Sequence, residues 1–227
     1  MKKILSLVVI ALLTSFTLSA QGEQFVSTTP THKNVLLEEY TGINCGFCPD
    51  GHRIANQIAA AHPGEVFVIN VHAGSYAANT YTTHFGTSLA NQTGLTGYPS
   101  GTVNRHVFTG SNTALNRGDW SSSANTILGQ SSPVNIAAQG TLDWSTRELS
   151  LTVQLYYTAD EANPTNMLNV AITQDNVIGS QSGSSYNPSQ VVGGKYRHMH
   201  MLRHLITGQW GEEITTTTQG SFVEKTY

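Results

Sequence analysis

The chain has 227 residues, only 11% of them charged, and a formal net charge of -3. So thin and slightly acidic a charge balance gives neither nucleic acid nor an anionic membrane an obvious surface to bind. Once a leader is removed, roughly 205 residues remain, which is enough for one large domain or two small ones with real cores.

Residues 1–20 hold Lys2 and Lys3, an apolar run from Ile4 through Leu13 to Phe16, and the small residues Ser19 and Ala20. This is the pattern of a secretory signal peptide cut after Ala20. Its apolar core is short for a membrane span and no later segment reaches about eighteen apolar residues, so an exported chain without a transmembrane segment is expected. A lipid anchor would need a cysteine at the cut, and the first cysteine is Cys45. Residues 21–34 are polar, contain Pro30 and lack periodicity, and read as a flexible lead.

Val35–Thr41 reads as a strand, residues 51–61 as a helix with Ile54, Ala55, Ile58 and Ala59 at helical spacing, and Val66–His72 as a central strand apolar nearly throughout. His62-Pro63-Gly64 stops the helix. Strand, helix and strand form a right-handed βαβ unit. Residues 73–97, rich in Thr, Asn, Gly and Ala, look inserted, with a weak helix at 83–93. After Tyr98-Pro99, residues 101–108 alternate like a strand suited to a hairpin, and residues 112–130 read as a closing helix. From Pro133 the composition changes. Residues 134–138, 149–157 and 167–173 cluster β-branched and aromatic residues between turn signals, which predicts an all-β, sandwich-type domain over 133–227. Residues 221–227 look like a strand with nothing after it, so either the chain is a fragment or another segment finishes the sandwich.

Cys45 and Cys48 are the only cysteines and enclose Gly46-Phe47. A bridge closing so short a loop removes little entropy from the unfolded chain and is poorly suited to stapling a fold. At a strand-to-helix turn the first cysteine feels the positive end of a helix, which favours its thiolate. In an exported protein such a dithiol is catalytic, kept reduced by a partner, or resting as a disulfide.

Strand, Cys-x-x-Cys, helix, strand and a later X-Pro opening a strand resemble the thioredoxin superfamily over residues 35–130. The resemblance implies an α/β thioredoxin-like domain at 35–132, interrupted by the insertion at 73–97. It implies Cys45 as an exposed nucleophile, Cys48 as the resolving thiol, and Tyr98-Pro99 as a cis-proline that joins Gly46 and Phe47 in meeting an extended peptide. Glu39, six residues before Cys45, occupies the place of a buried acid that relays the resolving thiol's proton, and it shares strand parity with Val35 and Leu37. The bland alternative is that Glu38 or Glu39 is a solvated strand-end charge. Asn44 in place of a tryptophan, Gly-Phe in place of Gly-Pro, and Pro49 after Cys48 depart from the common pattern. Pro49 is tolerable in a first helical turn. The dipeptide tunes the redox potential, so the direction of reaction does not follow.

With Tyr196-Arg197-His198-Met199-His200 and Gly208-Gln209-Trp210-Gly211 added, the chain resembles the Omp-twenty-eight-related outer-membrane proteins of Bacteroidetes. That family pairs a thioredoxin-like domain with a C-terminal β domain. The resemblance implies a periplasmic, outer-membrane-associated or surface location and a β domain that continues past Tyr227.

His198 and His200 would share a face on a strand, with His204 nearby, but no acid follows until Glu212, and ordinary packing is the expectation over a metal site. His52 and His72 could lie near the dithiol, though a structural role is the default. No motif calls for a cofactor. Two functions compete. One is an exported thiol-disulfide oxidoreductase acting on protein thiols or disulfides with a redox partner protein. The other is a non-enzymatic binding protein on the same scaffold with its cysteines resting as a disulfide.

Overall fold

A computed structural model describes residues 23–227; the expected signal peptide and the first two residues of the lead lie outside the described residues. In chain order the elements are β1 (Thr31–His32), β2 (Val35–Thr41), α1 (Cys48–Ala61), β3 (Val66–His72), α2 (Gly86–Gln92), β4 (Ser100–Val103), α3 (Trp120–Leu128) and β5 (Ser131–Ser132). There follow β6 (Val134–Asp143), β7 (Glu148–Tyr157), β8 (Asn166–Leu168), β9 (Ala171–Gln174) and β10 (Val177–Gly179). Then come single 3-10 turns at Ser184–Tyr186 and Pro188–Gln190, and finally β11 (Val191–Val192), β12 (Lys195–His198), β13 (Met201–Leu205), β14 (Glu212–Ile214) and β15 (Phe222–Thr226). The architecture is mixed α/β, with several sheets and few helices among the described residues.

The largest sheet has the order β4-β2-β3-β13-β9. β2 and β3 are parallel from Val35 opposite Val66 to Thr41 opposite His72, with α1 as the crossover. β4 runs antiparallel on the other side of β2. β13 lies parallel to β3, with the Asn70 N–H donating to the His200 carbonyl and Asn70 Nδ2 to the Met199 carbonyl, both at 2.8 Å. Two of the five strands thus come from beyond residue 133, the stretch that reads in sequence as a separate β region. Without them β3 would be an open edge carrying the buried Val66, Val68 and Val71.

Alternation along the strands sorts the side chains. Val35 and Leu37 pack with Val66, Val68 and Val103 against Ala55 and Ile58 of α1 and Trp120, Ala124 and Ile127 of α3. The opposite parity places Tyr40 and Val71 against Phe85, Leu89 and Ala90 on one side of the chain and Leu202 and Leu205 of β13 on the other. Past Pro133, β6 and β7 form a ten-residue hairpin with β15 on the far side of β7, and the β8–β14 ladder shares its core of Val153, Leu155, Tyr157, Leu168 and Ile214. β10, β12 and β11 make a further small sheet.

Three local expectations are corrected. The strand at 101–108 stops at Val103 and makes no hairpin, because Asn104 and Arg105 both take left-handed backbone (φ 50° and 48°). The closing helix starts only at Trp120, since Leu115 is held in an antiparallel bridge to Gly101. The run at 167–173 is two strands broken at Asn169-Val170, one in each of two different sheets.

Because Leu202 fills the core beneath β2 and β3, Leu202→Ala should cost about 2–5 kcal/mol of stability. Of the three tryptophans Trp120 alone is buried, so its fluorescence in urea reports the N-terminal half. An unmoved Trp120 midpoint would show that the two halves unfold independently.

Candidate functional site

The strand-to-helix turn is tight. A Cβ on Gly42 would stand 2.5 Å from the backbone of Tyr76, whose carbonyl accepts the Asn44 N–H at 2.9 Å. The Cys45 N–H donates to Gly42 O, and Cys48 opens α1 with Pro49 in the first turn. Cys45 and Cys48 form a disulfide, their Cα atoms 5.4 Å apart. Cys48 is fully buried, and Cys45, expected to be exposed, is only 3% accessible. The cover is the segment 180–187: Ser182 N–H donates to Ile43 O at 2.8 Å, and Gln181 Nε2 donates to Gly42 O and Cys45 O. Gly46 and Phe47 stay exposed; the Phe47 ring lies 5.6 Å from that of Tyr186 and beneath the Arg117 guanidinium. Arg53 and Arg117 both bind Asp50, holding its carboxyl below the usual carboxylate range.

Beneath the turn the α1-facing side of β2 changes from apolar to polar. Glu39 is completely buried, and neither carboxylate oxygen has a hydrogen-bond partner. It lies under Gly51, where a Cβ would collide with Glu39 Oε1 and press on Pro99 at 3.0 Å. The Tyr98–Pro99 bond is cis, Pro99 is buried, and half-buried Tyr98 rests its hydroxyl against Gly74. Glu38 is buried too, but it receives both arms of Arg105 at 2.7 Å and the Thr102 hydroxyl at 3.0 Å. Neither acid is a solvated strand-end charge, and only Glu39 is unpaired.

His52, one turn after Cys48, sits between Thr41 Oγ1 and the Tyr196 hydroxyl, both at 2.9 Å. Asn187 Nδ2 donates to Tyr196 at 3.1 Å, so the chain of bonds is satisfied when the phenol donates to His52 Nδ1 and the ring proton sits on Nε2. That Nε2 is 3.8 Å from Glu39 Oε1. Burial favours the neutral form of each partner, so this is a contact between neutral groups rather than an ion pair. His72 packs its ring 5.4 Å from His198 and 5.6 Å from Tyr81. His198 and His200 do not share a strand face: the ladder is broken between β12 and β13, where His200 takes left-handed backbone (φ 53°), leaving His198 buried and His200 beside Asp175. His204 lies on β13 against Phe85. Among the described residues no three metal-ligating groups of His, Cys, Asp or Glu converge.

Gln181, Ser182 and Asn187, which complete this site, carry no local sequence signal beyond a run of Ser and Gly at 180–185, while Tyr196 opens the run Tyr196–His200 that contributed to the family resemblance without a role being read for it. A cleft of about 760 Å³ lies elsewhere, between the lead and strands β6 and β8; it contains neither cysteine.

Fold and site together define a mixed α/β protein with a buried Cys-x-x-Cys disulfide at the mouth of a helix. The family model for outer membrane protein Omp28 matches residues 87–227, and the chain belongs to that family. The match begins downstream of the cysteine pair and includes the segment that covers it. Among solved structures the chain is similar to HBP35 of Porphyromonas gingivalis, with a TM-score of 0.69 and 21% identity over 87% of this chain and 64% of that one. It thus spans less than two thirds of that neighbour's length. A second similar structure is protein AGR_C_4864 from Agrobacterium tumefaciens, with a TM-score of 0.52 and 12% identity over 86% of this chain and 78% of that one. No curated protein matches the sequence. No described helix is long and apolar enough to cross a membrane.

The buried acid and histidines pull stability in opposite directions with pH. Burial, aided for His52 and His72 by neighbouring histidines, holds His52, His72 and His198 below their usual 6.5, His72 at about 3. The unfolded chain then binds protons the native one refuses, so this stability is full above 6.5 and is lost as pH falls. Burial raises Glu39 above its usual 4.5, so its contribution is full below 4.5 and declines as pH rises through the raised value. Urea unfolding between pH 5 and 7 should show stability falling toward acid, with His72→Gln removing up to about 1.4 kcal/mol per pH unit of that slope. Glu39→Gln should stabilise more at pH 8 than at pH 5. Parallel curves for wild type and both variants would reject these assignments.

Proposed function

We propose that the protein is an exported thiol-disulfide oxidoreductase built on a thioredoxin-like domain, residues 35–132 completed by β9 and β13, with the rest of 133–227 as a β domain. The observation that carries this reading is the Cys45–Cys48 disulfide at the start of α1, with the unpaired buried carboxyl of Glu39 under the same helical turn as Gly51 and beside cis-Pro99. Membership of an outer-membrane protein family supports a periplasmic, outer-membrane-associated or surface location.

In the reducing direction the Cys45 thiolate attacks one sulfur of a substrate disulfide. That bond breaks and the other substrate sulfur leaves as a thiolate that takes up a proton. Cys48 gives its proton to the Glu39 carboxylate and attacks Cys45 Sγ. The mixed disulfide breaks, the second substrate sulfur leaves and is protonated, and the protein is left with the Cys45–Cys48 disulfide. Two electrons pass from the protein dithiol to the substrate; a redox partner protein supplying a dithiol restores it, and the same steps reversed oxidise a substrate. Burial raises the Glu39 pKa, so its carboxylate, once formed, is a stronger base than a free one, and having taken the Cys48 proton it holds it as a neutral acid in the disulfide state. Tyr98, Pro99, Gly46 and Phe47 are assigned to substrate contact, with Phe47 55% exposed. A second reading, a surface binding protein whose cysteines rest as a disulfide, is favoured by the burial of Cys45.

Reduced protein should reduce insulin disulfides, and Cys48→Ala should trap substrates as mixed disulfides on Cys45. Glu39→Gln should slow resolution roughly 10²-fold or more at neutral pH, the scale of a lost general acid-base group, without unfolding the chain. No insulin reduction and no trapped adducts from the exported fraction would leave the binding-protein reading.

A further inference from the structure

Apart from the Tyr186 ring against Phe47, the cover over the disulfide is built from polar contacts. Ser180, Gln181, Ser182, Gly183, Ser184 and Ser185 offer no apolar side chain. At one end β10 pairs with β12, and the Ser180 carbonyl faces His198 Nε2 at 3.2 Å; at the other, Asn187 donates to Tyr196. Gly183, at φ 68°, rests on the Gly46 carbonyl so closely that a Cβ would overlap that oxygen. On the site side the acceptors are backbone carbonyls: Gly42 and Cys45 for the Gln181 amide, Ile43 for the Ser182 N–H. Each such bond adds only about 1 kcal/mol net, because equivalent bonds to water or another chain replace it. Closure also carries a flaw, since Gln181 Oε1 is buried without a partner.

We propose that residues 180–187 are a built-in occupant of the groove over Cys45–Cys48, standing in for an extended polypeptide that displaces them. The displaced bonds define the incoming chemistry: a segment able to present N–H donors in sequence to the carbonyls of Gly42, Ile43 and Cys45, and slim enough to pass over Gly46. A polypeptide in extended conformation has those donors, whereas a small thiol or disulfide cannot replace the strap's bonds and waits for it to open. That polypeptide is the substrate only if the oxidoreductase reading holds. The closure itself does not depend on that reading.

The test follows reduction of the native Cys45–Cys48 disulfide by a small trialkylphosphine, read as free thiols in the folded, full-length chain. Gln181→Ala combined with Ser182→Pro removes the three site-side hydrogen bonds and should accelerate reduction tenfold or more, the factor that about 1.4 kcal/mol gives. A cysteine-free peptide with the sequence of residues 178–189, added in excess, should protect the opened variant again; the same peptide N-methylated at the position of Ser182 should not. Equal reduction rates in wild type and double variant, or protection by both peptides alike, would overturn the proposal. Should the double variant fail to fold, Gln181→Ala alone is read by amide exchange at Ser182, and unchanged protection there is also negative. Insulin reduction is scored separately: its absence beside an accelerated variant rejects the enzyme and keeps the strap, while its presence beside equal rates rejects the strap alone.

Discussion

Every second side chain of β2 points at α1, and along that face the chemistry changes from hydrocarbon at Val35 and Leu37 to polar at Glu39 and Thr41. β3 repeats the change in register, with Val66 and Val68 giving way to Asn70 and His72 opposite the same two residues. A parallel pair flanked by other strands has no access to water, so four polar groups at one end of the face must be answered by protein. His52 from α1 answers Thr41, and the far end of the chain supplies the Met199 and His200 carbonyls to Asn70, the Tyr196 hydroxyl to His52 and the His198 ring packed on His72.

This polar end explains why the second half of the sequence cannot be a passive appendage. The Asn70 side-chain N–H finds its acceptor only in the Met199 carbonyl, and His52 reaches its second partner only in Tyr196. Removing those partners would leave buried donors and acceptors at about 1–3 kcal/mol each. The same stretch supplies β13, which buries Leu202 and Leu205 against Tyr40 and Val71. Hydrogen bonding and apolar packing thus point the same way, and the sheet is one structure although its strands are spread over residues 35–205. The cluster is not fully answered: Asn70 Oδ1, both ring nitrogens of His72 and both carboxyl oxygens of Glu39 are buried without partners, and Glu39, completely buried, is tolerated as a neutral acid.

The parts of the fold legible in the sequence were those specified by neighbours in the chain. A nearly continuous apolar run marked β3 and the short stretch before the cysteines marked β2, helical spacing marked most of α1, and parity put Glu39 on a covered face. Cys45, Cys48 and Pro99 could be tied together because each sits at a recognisable boundary between elements. What escaped was decided at long range or by single backbone conformations. The left-handed pair Asn104 and Arg105 ends β4 without any glycine or proline to announce it. The contacts from Gln181 to Cys45 and from Tyr196 to His52 span 136 and 144 positions, and no local period encodes such a meeting. Hence the site's floor could be read and its roof could not.

Floor and roof are nonetheless one electrostatic unit. Asn187 closes the covering segment and also holds Tyr196, Tyr196 holds His52, and His52 lies 3.8 Å from Glu39. Desolvation is the largest cause of the raised Glu39 pKa, ahead of the opposing pull of Arg117. With the segment seated, Glu39 keeps its proton and both sulfurs are shielded. With Asn187 withdrawn, Tyr196 loses a donor and the hydrogen-bond chain that orients His52 beside Glu39 is loosened. One continuous segment therefore carries both the bonds that cover the disulfide, through Gln181 and Ser182, and the bond that steadies the Tyr196–His52 pair beside the buried acid, through Asn187.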